Sequence, residues 1–262
     1  MSSTTAPFPT FPVSQITMPS DHLFTSAYAF VKEHCSRATL NHCLRSVAFS
    51  LILFRKFPPL ATNADIDKDA VVLSLLMHDM GWATSSSSLT SNEKRFEVDG
   101  ADIARNFIRT ETGGGTGTSN GGKWDRHRLQ LMWDAIALHT TPSIAHHKEP
   151  EVLATQLSIM AEFFGPHLDA AVPGCSITVD EYKEVLAVWP RLGFKEEMRQ
   201  TLCGFCRDKP ETTLDNFVSE YGRIYGLDGK GGERDGFVKL CDENNIVRRL
   251  EGGLAALETY EN

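Results

Sequence analysis

The chain has no long apolar run. The longest, near residues 47–54 and 70–77, are each about eight residues and are closed by charge, whereas a membrane span needs roughly 20. No membrane partner is therefore expected. A cationic surplus is also missing: 26 Lys and Arg stand against 34 Asp and Glu among 262 residues, a formal charge of −8. The densest basic stretch, 123–128, holds three cations and also Asp125. Proteins that work by neutralising phosphates carry the opposite balance or a dense basic face, so nucleic acid is not an expected partner. The first cation is Lys32, and no apolar segment precedes it. No secretory signal is therefore expected, and the expectation is a cytoplasmic protein. Six cysteines are too few for a disulfide scaffold in a chain of this length. Cys203 and Cys206 have the C-x-x-C spacing. They lack the second pair of a zinc knuckle and the βαβ setting of a thioredoxin-like site, and read as a structural pair on a helix face.

What the chain does have is helical periodicity. Residues 1–20 contain four prolines and no charge, and read as an extended arm packed through Phe8 and Phe11. From Asp21 onward apolar residues recur at spacings of three and four. Leu23, Ala27, Phe30 and Val31 define one helix. Leu40, Cys43, Leu44, Val47, Leu51 and Phe54 define a second, stopped by Pro58-Pro59. Ile66, Ala70, Leu73, Leu76 and Met77 define a third, with Gly81 placed for a left-handed cap. Further helical patterns cover roughly 94–110, 124–140, 149–165, 179–189, 195–206, 211–224 and 236–258, and Thr178-x-x-Glu181 has the spacing of a capping box. No stretch alternates with period two. The expected fold is all-α, a helical bundle in one domain over 21–262 with motifs within 22–170 and additional helices over 175–262.

Two glycine-rich segments interrupt the pattern. Residues 113–122 contain six glycines and read as a flexible insertion. Gly117 to Lys123 resembles the start of a P-loop, but Trp124 stands where a Ser or Thr must hold magnesium and no strand precedes it. Residues 226–236 read as a surface loop.

The chemistry centres on Met77-His78-Asp79-Met80-Gly81. A His and an Asp at the end of an apolar helix are costly to bury unless each is paired, hydrogen-bonded or bound to a metal. His42 lies on the preceding helix among Leu40, Cys43, Leu44 and Val47. His139 ends another apolar helix, followed by Thr140, and Glu162 lies between apolar residues on a later one. Two His, an Asp and a further carboxylate on separate helices suit a divalent metal with mixed N/O ligands. His127, His146 and His147 lie near loops among charges and read as solvated. Trp82, Phe96, Trp133 and Phe163 read as core, some of them walling a site if one is there.

Asn41-His42-x-x-Arg45, Leu75-x-x-His78-Asp79-x-Gly81 and Arg95-Phe96-Glu97-Val98-Asp99-Gly100-Ala101 together resemble the HD-domain superfamily. The last of these, with Ala135-Ile136-x-Leu138-His139-Thr140, looks like its fungal cyanamide hydratase-like branch. The resemblance covers about residues 22–170 and implies an all-helical domain holding a single zinc ion through a His, a His-Asp pair and a later Asp. Carried over by motif, the ligands are His42, His78, Asp79 and Glu162. The last departs from the family pattern, which has Asp there; Asp169 is a second candidate for that position. Iron or manganese would also tolerate such ligands. The resemblance places His139 and Thr140 in the pocket, as the candidate catalytic pair; the role of Glu97 stays open.

The function so implied is a metal-dependent hydratase or hydrolase adding water to a small neutral electrophile, as in cyanamide to urea. Few cations lie near the motifs to receive a phosphate. The alternatives are an enzyme of this fold acting on a larger natural product, a phosphohydrolase on nucleotides, and a non-catalytic helical interaction protein. The expected partner is a small-molecule substrate, with room left for a homo-oligomer.

Overall fold

The computed structural model describes residues 8–83, 89–113 and 123–261. The glycine-rich insertion therefore lies outside the described residues except for its first position. Among the described residues the chain is helical, and its β pairing is an isolated bridge between Phe11 and Ile16. The expected all-α class holds. No helix among the described residues is long and apolar enough to cross a membrane.

Where the periodicity reads as one domain, the chain divides into two compact units, the first comprising 1–91 and 96–192 and the second 92–95 and 193–262. The first unit contains α1 (His22–His34), α2 (Arg37–Lys56), α3 (Pro58–Ala61), α4 (Lys68–Met77), α5 (Phe96–Glu111), α6 (Arg126–Ala137), α7 (Pro142–Ala145), α8 (Pro150–Phe164), α9 (Leu168–Ala171) and α10 (Val179–Val188). Local chemistry starts and stops these helices. Asp21, Ser36, Asp67 and Asp125 each accept a backbone N–H three residues on, capping α1, α2, α4 and α6. Thr178 and Glu181 form the expected capping box of α10. Pro58 ends α2 and opens α3, because its ring cannot continue the preceding helix.

The centre of the unit is α4, packed against α2, α6 and α8. From Ala70 to Met77 every α4 side chain is buried, the mark of a helix enclosed on all sides. Each buried Leu or Val contributes about 1.5–3 kcal/mol, so this short helix is secured by packing. α2 is nearly as enclosed, yet it carries Asn41, His42, Arg45, Ser46 and Ser50 into the interior. A helix this apolar admits such groups only where partners meet them.

The arm from Phe8 to Ser20 carries no helix but folds back in a turn at 12–15, closed by the Phe11–Ile16 bridge and the Gln15 N–H donating to the Phe11 carbonyl. Phe8 meets Phe24 and Tyr28 edge-on, and Phe11 packs on Trp189. Glu184 anchors it by accepting from the Val13 and Ser14 N–H groups and the Ser14 hydroxyl.

Gly81 differs from its expected role. Its φ is not positive, and it is not a left-handed cap. A Cβ there would collide with the Phe96 carbonyl, and one at Gly100 would lie 2.9 Å from the His78 carbonyl. These glycines let the start of α5 approach the turn at Met80–Trp82, which follows the His-Asp pair.

The second unit contains α11 (Phe194–Asp208), α12 (Val218–Tyr225), α13 (Arg234–Glu243) and α14 (Ile246–Leu257). The pattern read over 236–258 is two helices, because Asn245 turns its side chain to the Val247 N–H and caps a new one. Phe194, Leu202, Val218 and Phe237 are buried here with Cys203, Cys206 and Cys241. Burial raises the Cys203 thiol and pushes that of Cys206 up to about 11, so the C-x-x-C pair packs as protonated thiols.

Candidate metal centre

His42 sits in the buried middle of α2, while His78 and Asp79 follow the last residue of α4. The packing of α2 on α4 brings together residues 36 apart in sequence: the Nε2 atoms of His42 and His78 are 3.1 Å from each other. Asp79 Oδ2 lies 3.6 Å from the first and 3.4 Å from the second. The three residues are 2%, 1% and 2% exposed. They form a buried group able to hold a metal ion.

The hydrogen bonds behind the rings decide what this cluster is. His78 Nδ1 is 2.8 Å from the Leu75 carbonyl, which has no proton to give. That nitrogen is therefore the donor, and Nε2 is left as a bare lone pair. His42 Nδ1 faces Glu162 Oε2 at 3.4 Å; with the ring proton on that side, the tautomer a nearby carboxylate favours, the second lone pair is also at Nε2. Among the described residues Asp79 Oδ2 accepts no hydrogen bond. In that tautomer two lone pairs and a carboxylate oxygen converge, an arrangement that a cation among them would relieve. Tetrahedral ligands ~2.0–2.2 Å from zinc stand about 3.3–3.6 Å from one another; the two nitrogen–oxygen separations, 3.4 and 3.6 Å, fall in that range and the nitrogen–nitrogen separation, 3.1 Å, is slightly shorter. The donor set fits a divalent ion.

Burial, with His42 adding to it, lowers the His78 pKa to about 3. Burial likewise raises the Asp79 carboxyl above its usual range, against the opposing pull of His42 and His139. A neutral imidazole is the form that ligates a metal.

Glu162 lies outside this three-residue group. Its carboxylate is fully buried and is turned to Arg45, whose Nε donates to Oε1 at 2.6 Å, and to Arg191 at 3.1 Å. Burial alone would push the carboxyl up; His42, Arg45 and Arg191 more than reverse this and hold it at about 2. Its side chain reaches the far nitrogen of His42, the place of the carboxylate in a carboxylate–histidine–metal triad. The extra methylene of Glu over Asp serves that reach. Asp169 is exposed, accepts the Gly174 N–H and is not part of the buried three-residue group.

His139, 4% exposed, stacks edge-on against His78 with ring centroids 4.9 Å apart and meets Phe96 at 5.8 Å. Its Nδ1 donates to the Ile136 carbonyl at 2.6 Å, leaving Nε2 as an acceptor. Burial, then His78, lowers its pKa to about 4. The Thr140 hydroxyl donates at 2.6 Å to Glu97, a fully buried carboxylate whose charge also acts on Asp79 and His139. Thr140 is thus a partner of Glu97, and Glu97 joins the site from α5.

Trp82 and Phe96 continue the wall beyond His139, and Phe163 lies 5.5 Å from the His42 ring. Trp133 is elsewhere, donating to Asp102. His127, His146 and His147 are exposed, as expected. Arg191 was invisible to the motifs. The only signal for it is indirect: a fully buried Glu162 needs more positive charge than Arg45 alone.

The chain matches no protein-family model and no curated protein.

Proposed function

We propose that this chain is a metal-dependent hydratase of the HD type, adding water to a small uncharged carbon electrophile, with cyanamide to urea as the first reaction to test. The observation that carries the reading is the convergence of His42 Nε2, His78 Nε2 and Asp79 Oδ2 within 3.1–3.6 Å in a buried setting. Zinc is the first candidate ion, with iron or manganese next. When bound, such an ion supplies Lewis acidity and lowers the pKa of a water towards ~7.

The residues divide the remaining work. His42, His78 and Asp79 would hold the ion, with the Leu75 carbonyl and Glu162 fixing the two rings from behind. His139, neutral and with Nε2 open, is suited to accept a proton from water and return it to the substrate nitrogen. The step balances as follows: water oxygen bonds to the nitrile carbon, one carbon–nitrogen π bond is lost, the proton released by water goes to the nitrogen, and the isourea so formed becomes urea when its hydroxyl proton moves to the same nitrogen. Thr140, committed to Glu97, is better placed to set the position of that carboxylate than to move protons.

A neutral substrate is favoured over a phosphate ester by the fate of the site's guanidiniums. Arg45 and Arg191 are both engaged by Glu162, while Asp79 and Glu97 add negative charge around His139. The very low exposure of the four central residues favours a small substrate.

Elemental analysis of protein purified without chelator, with an assay of cyanamide conversion to urea, tests the proposal. Near-stoichiometric metal, urea production, and loss of both in His78→Ala and Asp79→Ala are expected. His139→Gln should retain the metal and lose turnover. Phosphate release from nucleotides without urea would move the reading to a phosphohydrolase, and metal without either activity to a larger natural-product substrate. Metal-free protein would leave a helical interaction module.

A further inference from the structure

The first unit holds a cavity of about 540 Å³, within the roughly 300–1,000 Å³ usual for small-molecule sites. Residues of α1 and α2 line it, together with Val188 and Trp189 at the end of α10. None of His42, His78, Asp79 and His139 is among the lining residues, so it is a different place from the candidate metal centre. Arg37, Leu40, Asn41 and Leu44 line it from one face of α2, at the i, i+3, i+4, i+7 spacing.

Charge and polarity select the ligand. The chain has a formal charge of −8, yet no carboxylate lines this cavity, whereas Lys32 and Arg37 both do. Both are exposed, and among the described residues neither is in an ion pair. Lys32 Nζ lies instead 5.9 Å from the centre of the Tyr28 ring. Two exposed cations suit an anionic head, and the guanidinium fork of Arg37 matches a carboxylate. Leu40, Leu44 and Trp189 are buried and suit a flat apolar body. Asn41 is the polar exception, 5% exposed. Its Nδ2 donates to the Pro190 carbonyl at 2.8 Å, and among the described residues nothing donates to its Oδ1. A buried acceptor without a donor is costly, so a ligand N–H or O–H is wanted there.

We propose that this cavity binds a small hydroxyaryl carboxylate, its carboxylate taken by Lys32 and Arg37, its ring by Leu44 and Trp189, and its hydroxyl by Asn41 Oδ1. The inference is independent of the proposed reaction. Isothermal titration calorimetry of the full chain with 6-hydroxy-2-naphthoate tests it, and saturable one-to-one binding is expected. 6-Hydroxy-2-naphthamide, which lacks the charge, and 2-naphthoate, which lacks the hydroxyl, should each bind at least about threefold more weakly. Lys32→Gln combined with Arg37→Gln should weaken binding about tenfold, without loss of fold, since both side chains are exposed. Asp79→Asn, which alters the candidate metal group, should leave binding unchanged. No binding at millimolar naphthoate overturns the proposal, as does binding that the double substitution leaves unchanged. Binding that Asp79→Asn abolishes also overturns it, by putting the carboxylate at the metal centre. Inorganic phosphate bound as tightly as the naphthoate overturns the aryl body and reduces the cavity to a site for a bare anion.

Discussion

Glu162 meets His42 at Nδ1, 3.4 Å away, while His78 meets the same ring at Nε2, 3.1 Å away. One imidazole is thus held between a carboxylate and the convergence point of the candidate metal group. Glu162 acts there through His42, and this makes its removal separable from removal of a ligand.

Glu162→Gln should keep the metal but weaken it by about 10–100-fold, the usual effect of losing an outer carboxylate behind a ligating histidine. Competition with a chromogenic chelator reads this directly. Loss of all metal would instead make Glu162 a direct ligand. Glu162→Ala should add a fold defect of about 3–5 kcal/mol, because Arg45 would be left as an uncompensated buried charge. Urea denaturation of the metal-free protein separates that cost from the binding effect.

Chelation should lower the melting temperature. An ion present at a thousandfold excess over its dissociation constant stabilises the folded chain by about 4 kcal/mol, and without it the two lone pairs and the Asp79 oxygen repel one another. Asp79→Asn should remove the metal and also the sensitivity to chelator. Differential scanning fluorimetry with and without chelator checks both. A chelator response that persists in Asp79→Asn would place the ion elsewhere.

Asp67 provides the pH dependence. Burial pushes its carboxyl up, but Arg128, donating from Nε and Nη2, and the Ala70 N–H outweigh this and hold it below the usual carboxylate value. A depressed folded pKa means stability that is present above the unfolded value of ~3.9 and lost as pH falls through the folded one. Asp67→Asn keeps the helix cap and removes the charge, so it should cost about 1 kcal/mol at neutral pH. The difference from wild type should vanish in acid. Urea titrations at several pH values would show it, and a constant difference would contradict it.

Gly81→Ala should destabilise by at least about 1–3 kcal/mol, since the new methyl meets the Phe96 backbone and not a yielding side chain. The relief requires α5 to withdraw from the turn beside Asp79, so metal affinity should fall as well. Chemical denaturation and metal titration of the same variant measure the two effects.

The all-α class, the capping box at Thr178 and the stop at Pro58 were legible because each is set within a few residues. The break at Asn245 was as local, but the apolar spacing over 236–258 continues across it and conceals it. His42, His78 and Asp79 were legible by chemical type, as polar groups on stretches otherwise wholly apolar. Gly81 was recognisable as important and assigned the wrong reason: sequence suggests a cap, whereas the neighbour that demands glycine is Phe96, on another helix.

Sequence alone determined which residues would be costly to bury without partners, since burial follows from the apolar periodicity around them. Tertiary structure alone decided how those costs were met. Glu162 and Arg45 are 117 residues apart, and Arg191 arrives from a stretch without a motif. Whether Glu162 reaches the convergence point or the back of His42 depends on the offset of α8 against α2, a matter of one methylene length. Helical periodicity encodes which face of each helix is inward, but not its axial position against a neighbour; that is set by how all the buried side chains pack at once.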